Sequence, residues 1–388
     1  MSALEDIIKD EIRAKGQVTF ARFMELALYH PDHGYYGSAR VKIGKEGDYY
    51  TNSHVSPLYG RLMAEAYMKL KDSLYVNRCP FIEMGAGEGY MAFDFIEELH
   101  RYHGHEVNAC EYIIIERSHG MREIQKETLR HHAGHVKWYD SVEEMPGPVT
   151  GVFFSNELVD AMPFHRITQT DDALQEVYVN VKDGKLAEAL GAISTVNIVK
   201  HLNRIGVRLP DGMTSEISLE APEWIRSLAA KLEKGYVITV DYGYPAHEYY
   251  SPARRTGTFV CYHKHTVNES PYERIGEQDI TAHADFTTLA LAGKEAGLTP
   301  LMFTEQTNFL MAAAGEVQVL LTKAGAGQHE LEEVGQGLKA LLHPEWMGGT
   351  FKALIQAKDA GLPRMFDAAR NRLPELWNNE GSWSKRIV

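Results

Sequence analysis

The sequence predicts an α/β fold, an open and mostly parallel sheet with helices on both faces. Two observations carry this expectation. From residue 76 onward, apolar runs suited to buried strands alternate with segments of helical length and period. The first of these strands ends in a glycine-rich turn, Glu83-Met84-Gly85-Ala86-Gly87-Glu88-Gly89, directly before a helix-like run at 90–99.

The elements follow in order. Residues 1–75 form an N-terminal region with helical periodicity at 7–12, 19–28 and 56–74. A turn-rich stretch at 30–52 interrupts it and carries Gly34, Gly37, Gly44 and Gly47. Strands are expected at 81–83, 111–116, 136–139, 151–155 and 236–240. The second of these, EYIIIE, is apolar enough for burial on both faces. Helices at 90–99, 121–131 and 223–232 fall between them, so 76–163 and 223–325 make the core. Residues 164–222 interrupt it. Their alternating run at 174–181 leads into Lys182-Asp183-Gly184-Lys185, a two-residue hairpin signal. A small β-rich lobe over one edge of the site is therefore expected. A helix at 286–296 stops at Gly297. Residues 301–303 and 317–321 are expected to close the sheet as antiparallel strands, and 326–388 reads as a helical tail.

Bulk properties narrow the function. The 388 residues exceed the size at which one core usually stops growing, which implies a large domain with insertions, or two lobes. A net charge of −13 argues against a nucleic-acid surface, which needs clustered Lys and Arg. Cys79, Cys110 and Cys261 are far apart and odd in number, consistent with a reducing compartment and with neither a disulfide framework nor a zinc site. No run reaches the length of a membrane span. The opening MSALEDIIKDEIRAKG has no apolar signal core and no Arg/Ser-rich presequence, so a cytoplasmic protein is expected. Oligomeric state is not legible.

The glycine spacing selects a ligand. A dinucleotide fingerprint would place its third glycine at position 90, where Tyr90 stands. That counts against a nicotinamide-dependent oxidoreductase. Glu-x-Gly-x-Gly-x-Gly is the pattern of S-adenosylmethionine (SAM) methyltransferases, and the cationic amino group and sulfonium of SAM suit an acidic strand end at Glu83. Gly85, Gly87 and Gly89 let the ligand lie against the main chain. Glu116, at the end of the second strand, can accept two hydrogen bonds from a ribose diol. Asp140, after the third strand, is a candidate for the adenine amino group. Gly47-Asp48-Tyr49-Tyr50-Thr51 is a candidate cover, with Asp48 and Thr51 as its cofactor contacts.

The loop after the fourth strand faces the transferred group in this architecture. It reads Ser155-Asn156-Glu157-Leu158-Val159-Asp160-Ala161-Met162-Pro163. Asn156, Glu157 and Asp160 are the catalytic candidates. If 157–160 opens a helical turn, Glu157 and Asp160 share a face and Pro163 limits the turn. Asp241, after the fifth strand, adds a wall. The acidic stretch 276–286 reads most simply as a helix start capped by Asp285. His100, His103 and His105, and His131, His132 and His135, lack the H-E-x-x-H arrangement, so no metal site is expected.

These motifs, in this order, resemble the MidA-like class I SAM methyltransferases, a family that includes the mitochondrial complex I assembly-factor methyltransferase. The residues that carry the resemblance are Gly34-Tyr35-Tyr36, Gly47 to Thr51, Ser56-Pro57, Glu83 to Gly89, Asn156 to Arg166, Asp241 to Tyr244, Gly257-Thr258, Cys261-Tyr262 and Gly276 to Phe286. The resemblance implies a Rossmann-like methyltransferase core with SAM held by Gly85, Gly87, Gly89 and Glu116. It also implies a protein substrate methylated on arginine. The chain departs from the family pattern at His54, Ala86 and Glu88. A SAM-binding assembly scaffold without turnover and a small-molecule methyltransferase remain alternatives.

Overall fold

The computed structural model describes residues 3–37, 56–171, 173–325, 327–342 and 349–377. Its strands are β1 (Val18–Thr19), β2 (Phe81–Met84), β3 (Tyr112–Ile115), β4 (Val136–Tyr139), β5 (Val149–Asn156), β6 (His165–Gln169), β7 (Leu174–Lys182), β8 (Lys185–Gly191), β9 (Thr214–Ile217), β10 (Leu232–Tyr244), β11 (Val260–His263), β12 (Thr266–Asn268), β13 (Asp279–Thr281), β14 (Ala284–Asp285), β15 (Thr299–Glu305) and β16 (Phe351–Lys358).

The main sheet has the order β4-β3-β2-β5-β10-β16-β15, with β14 added beside β10. Strands β4 to β10 run parallel, and β16 is antiparallel to both its neighbours. The sheet is buried on both sides, and its central strands are apolar through the runs Phe81–Ile82, Tyr112–Ile115, Val152–Phe154 and Tyr236–Ile238. Phe81, Ile114, Phe154, Ile238 and Ile355 face helices Leu58–Leu74, Tyr90–Tyr102 and Gln306–Ala324. Ile82, Ile113, Phe153, Val237 and Leu354 face Glu220–Lys231 and Phe286–Glu295. Each such side chain contributes roughly 1.5–3 kcal/mol by leaving water.

The insertion contributes β6 to β9 to an antiparallel sheet of order β1-β7-β6-β9, with β8 on β7, in which β1 comes from the N-terminal region. Asp183 and Gly184 both take positive φ (52° and 76°) between the paired Lys182 and Lys185, as a two-residue hairpin requires. The N-terminal helices Ala3–Lys15 and Phe20–Tyr29 share a core with this lobe, in which Ile8, Phe20 and Phe23 pack with Phe164, Val179 and Ile280. Asp285 caps its helix through a 3.1 Å bond from the Thr288 amide to Oδ1.

Two expectations near the C-terminus need correction. Residues 317–321 are helical, not a strand. Phe309, Leu310, Ala313, Val317 and Leu321 form a buried stripe of helical spacing. The antiparallel strand is instead β16, inside the region read as a helical tail. Its lysines and glutamine imitate a polar helix face. In the fold they reach backbone carbonyls: Lys358 Nζ donates to Ala229 O and Leu232 O at 2.9 and 2.8 Å. β15 is antiparallel to β16 and so runs with the parallel strands.

Gly235 in β10 has φ 134°, and a Cβ there would sit 1.9 Å from the Gly151 carbonyl oxygen of β5. Gly235→Ala should therefore destabilise the protein by at least about 3 kcal/mol. The check is the urea midpoint, which should drop with an unchanged slope.

Candidate functional site

The strand order reverses between β2 and β5, so the turns that follow them diverge and leave a crevice at the carboxyl ends. A cavity of about 1320 Å³ opens there. Its wall includes Glu83, Gly85, Gly87, Glu116, Asp140, Asn156 and Glu157. Seven candidates from four separate stretches of the chain thus meet in one chamber. Asp48 and Thr51, together with the rest of 47–51, lie outside the described residues.

The glycine turn leaves β2 with Gly85, Gly87 and Gly89 all left-handed, at φ 68°, 54° and 87°. This succession of positive φ values explains why three glycines stand here. Gly89 stands one step behind the cavity wall and caps helix Tyr90–Tyr102. Glu83 is buried and accepts a 2.6 Å hydrogen bond from the Tyr112 hydroxyl. Burial pushes its carboxyl up to about 7 against that hydrogen bond.

Glu116 is oriented by two donors. The Ser118 amide donates to Oε1 at 2.8 Å and Gln125 Nε2 to Oε2 at 3.1 Å. Gln125 Nε2 also donates to the Gly87 carbonyl at 2.9 Å, while its own Oε1 accepts from Trp138 Nε1 at 3.1 Å. One buried amide thereby ties the glycine turn to the candidate ribose acceptor. Asp140 lines the cavity, but its carboxylate is paired with Arg122, which holds it below the usual range. Met121, Val142, Ile115 and Leu158 add apolar wall nearby.

On the other side, Asn156 and Glu157 leave β5 beneath the cavity. The Tyr59 hydroxyl donates to Asn156 Oδ1 at 2.7 Å, and Asn156 Nδ2 donates to Glu157 Oε1 at 2.9 Å. The expected helical turn at 157–160 is absent. Glu157 takes φ 51°, which breaks any helix, and the amides that follow turn inward to Asp241. Asp160 is buried behind the turn and does not line the cavity. Burial, then the Asp241 and Glu157 charges, push its carboxyl well above the carboxylate range. Asp241 is fully buried and bonded to backbone, so it forms no wall of the cavity.

The N-terminal lobe reaches across. Tyr29 donates to the Ala161 carbonyl at 2.7 Å and stacks on Tyr36, whose carbonyl accepts from Ser118 Oγ at 2.7 Å. Arg117 lies 3.4 Å over the Tyr29 ring. Reasoning on sequence missed Tyr59, Tyr112, Arg117, Gln125 and Arg122. No local signal marks them, since each acts by meeting a residue distant in the chain or, for Gln125 and Arg122, by a helix orientation that only packing sets.

Comparison with known proteins identifies the family. Residues 58–304 match the model of a family described as S-adenosyl-L-methionine-dependent methyltransferases. The chain is similar to the mitochondrial protein arginine methyltransferase NDUFAF7 homolog of Caenorhabditis elegans, 26% identical over 75% of this chain and 72% of that protein. It is similar also to human mitochondrial NDUFAF7, 25% identical over 88% of this chain and 80% of that one. A crystal structure from Burkholderia thailandensis bound to S-adenosyl-homocysteine is 28% identical, covers 96% of both chains and superposes with a TM-score of 0.85. The expectation of a cytoplasmic protein is corrected by these relatives, which are named as mitochondrial. Lack of a recognisable presequence was weak ground for a compartment. More than half of the chain matches the family model, and the protein belongs to this family of SAM-dependent methyltransferases.

Proposed function

We propose that the chain transfers a methyl group from SAM to the guanidinium of a protein arginine. The observation that carries this reading is the Glu157 carboxylate in the wall of the same cavity as the glycine turn. A guanidinium is cationic at neutral pH and needs carboxylates to bind and orient it. The relatives named as protein arginine methyltransferases support the same acceptor. A cavity of about 1320 Å³ suits two reactants, since single-ligand pockets span roughly 300–1,000 Å³.

SAM supplies a methyl group on a sulfonium. In this reading Gly85 and Gly87 offer close backbone approach, Glu83 takes the cationic amino group and Glu116 the ribose hydroxyls. Gly89 shapes the turn. Glu157, held by Asn156, grips the guanidinium and localises its charge away from the attacking nitrogen. That nitrogen forms its bond to the methyl carbon as the carbon–sulfur bond breaks, the pair leaves with sulfur, and the guanidinium proton is released to water. Alignment of this kind can supply roughly 7–11 kcal/mol of the barrier.

The test is transfer of labelled methyl from SAM into a lysate of cells lacking this chain, followed by analysis of the modified residues. Methylarginine in protein is the expected product. Label confined to lysine or to small molecules would overturn the acceptor assignment.

A further expectation concerns pH. With its carboxyl near 7 in the folded protein, Glu83 is ionised above that pH and protonated below it. Only the ionised form attracts an ammonium group. Affinity for S-adenosyl-homocysteine should be full near pH 8 and weaken about tenfold by pH 6. Calorimetry at both values checks this, and Glu83→Gln should flatten the dependence.

A further inference from the structure

We infer that Asp241 is the positioning residue of the acceptor turn: its buried carboxylate gathers the amides of residues 158–160 so that Glu157 keeps its left-handed backbone and faces the cavity. The inference rests on the proposed role of Glu157 and adds what holds that residue in place.

The backbone ladder explains where the clamp begins. β10 and β5 pair in register as far as Val240 opposite Asn156. The Glu157 amide still bonds to the Val240 carbonyl, at 3.0 Å. Beyond it the strands part, and the next amides lose their ladder partners. Asp241 replaces them. Its Oδ2 accepts from the amides of Val159 at 2.9 Å and of Leu158 and Asp160 at 3.3 Å. Its Oδ1 accepts from the Tyr242 amide at 2.8 Å. Four donors meet one carboxylate whose residue is 0% exposed.

This clamp matters because Glu157 has φ 51°, in a region that residues with a Cβ disfavour and that persists only when the surroundings impose it. Asp241 does not line the cavity, whereas Glu157 does. The influence of Asp241 on the acceptor therefore runs through the turn and not by contact. An amide in its place keeps the shape but turns a donor toward one set of N–H groups.

The first measurement is hydrogen exchange on the unmodified protein, which needs neither acceptor nor cofactor. The amides of Leu158, Val159 and Asp160 should be protected although they lie in a loop. Exchange as fast as in an open loop overturns the inference, whether or not any variant folds. The second is Asp241→Asn. Labelled-methyl incorporation into lysate protein should fall about 30-fold, affinity for S-adenosyl-homocysteine should stay within threefold, and protection at 158–160 should drop while that of Ile238 persists. An unchanged rate overturns the inference. So does a lost rate with protection intact, which would mean that Asp241 acts on the acceptor by its charge alone. In a Glu157→Gln background, Asp241→Asn should cost less than a further threefold, because residues that act as a unit are not additive. A full additional 30-fold loss would show a separate role. Failure of Glu157→Gln by itself to slow the reaction would count against the proposed function, and leaves the exchange result to judge the clamp.

Discussion

Glu157→Gln should lower methyl transfer by about 10²–10³-fold, the usual effect of removing one group that stabilises developing charge in an enclosed site. The substitution is nearly isosteric. Gln can keep the position of Oε1, which accepts the 2.9 Å bond from Asn156 Nδ2, and it tolerates φ 51° no worse than Glu does. Folding and cofactor binding should therefore survive, with affinity for S-adenosyl-homocysteine within about twofold of the parent. Only the negative charge is lost, and that charge is what a guanidinium requires. The measurement is the initial rate of labelled-methyl incorporation at saturating SAM, with calorimetry on the same preparation. If the variant methylates as fast as the parent, Glu157 is not the group that holds the acceptor.

Glu116→Ala should act on the other half of the reaction. Two ribose hydroxyls on a charged acceptor are worth roughly 1.5–3 kcal/mol each. Affinity for SAM and S-adenosyl-homocysteine should then fall by about 10²-fold or more. The truncation also strips the Ser118 amide and Gln125 Nε2 of a partner, and Gln125 is the link to the Gly87 carbonyl. The glycine turn should loosen with it. At saturating cofactor the rate should recover most of its parent value, because the acceptor turn is untouched. Binding measured by calorimetry and a full titration of rate against SAM separate the two effects. A dissociation constant within threefold of the parent would remove Glu116 from the cofactor site. Together the variants divide the cavity: one loses rate and keeps affinity, the other the reverse.

The parallel strands were legible because burial on both faces leaves a continuous apolar run that little else explains. EYIIIE at 111–116 contains β3 (Tyr112–Ile115), and 136–139 became β4 with unchanged bounds. The hairpin at Asp183-Gly184 was legible because few sequences accept two successive positive φ values. β16 was not. A strand in the middle of a sheet that carries two lysines and a glutamine is stable only because neighbouring segments offer carbonyls at the right depth, and no window of sequence contains those neighbours. The helix at 306–324 was misread in part for a related reason. Its exposed face includes Met311 and Val319, so polarity does not mark its period.

Of the residues that line the cavity, those marked by local spacing were visible in the chain: Glu83 with Gly85 and Gly87, Glu116 at a strand end, and Asn156 with Glu157 at another. The sequence by itself determined the fold class, the cofactor and the family, since each rests on motifs that are local in the chain and on their order along it. Only the tertiary structure decided which of two nearby acids reaches the cavity. Glu157 lines it and Asp160 does not, because a left-handed residue redirects the chain and the buried carboxylate of Asp241, more than eighty positions away, gathers the amides that follow. The direction of a side chain after a strand is set by the hydrogen bonds that replace the ladder, and those come from wherever folding has brought an acceptor.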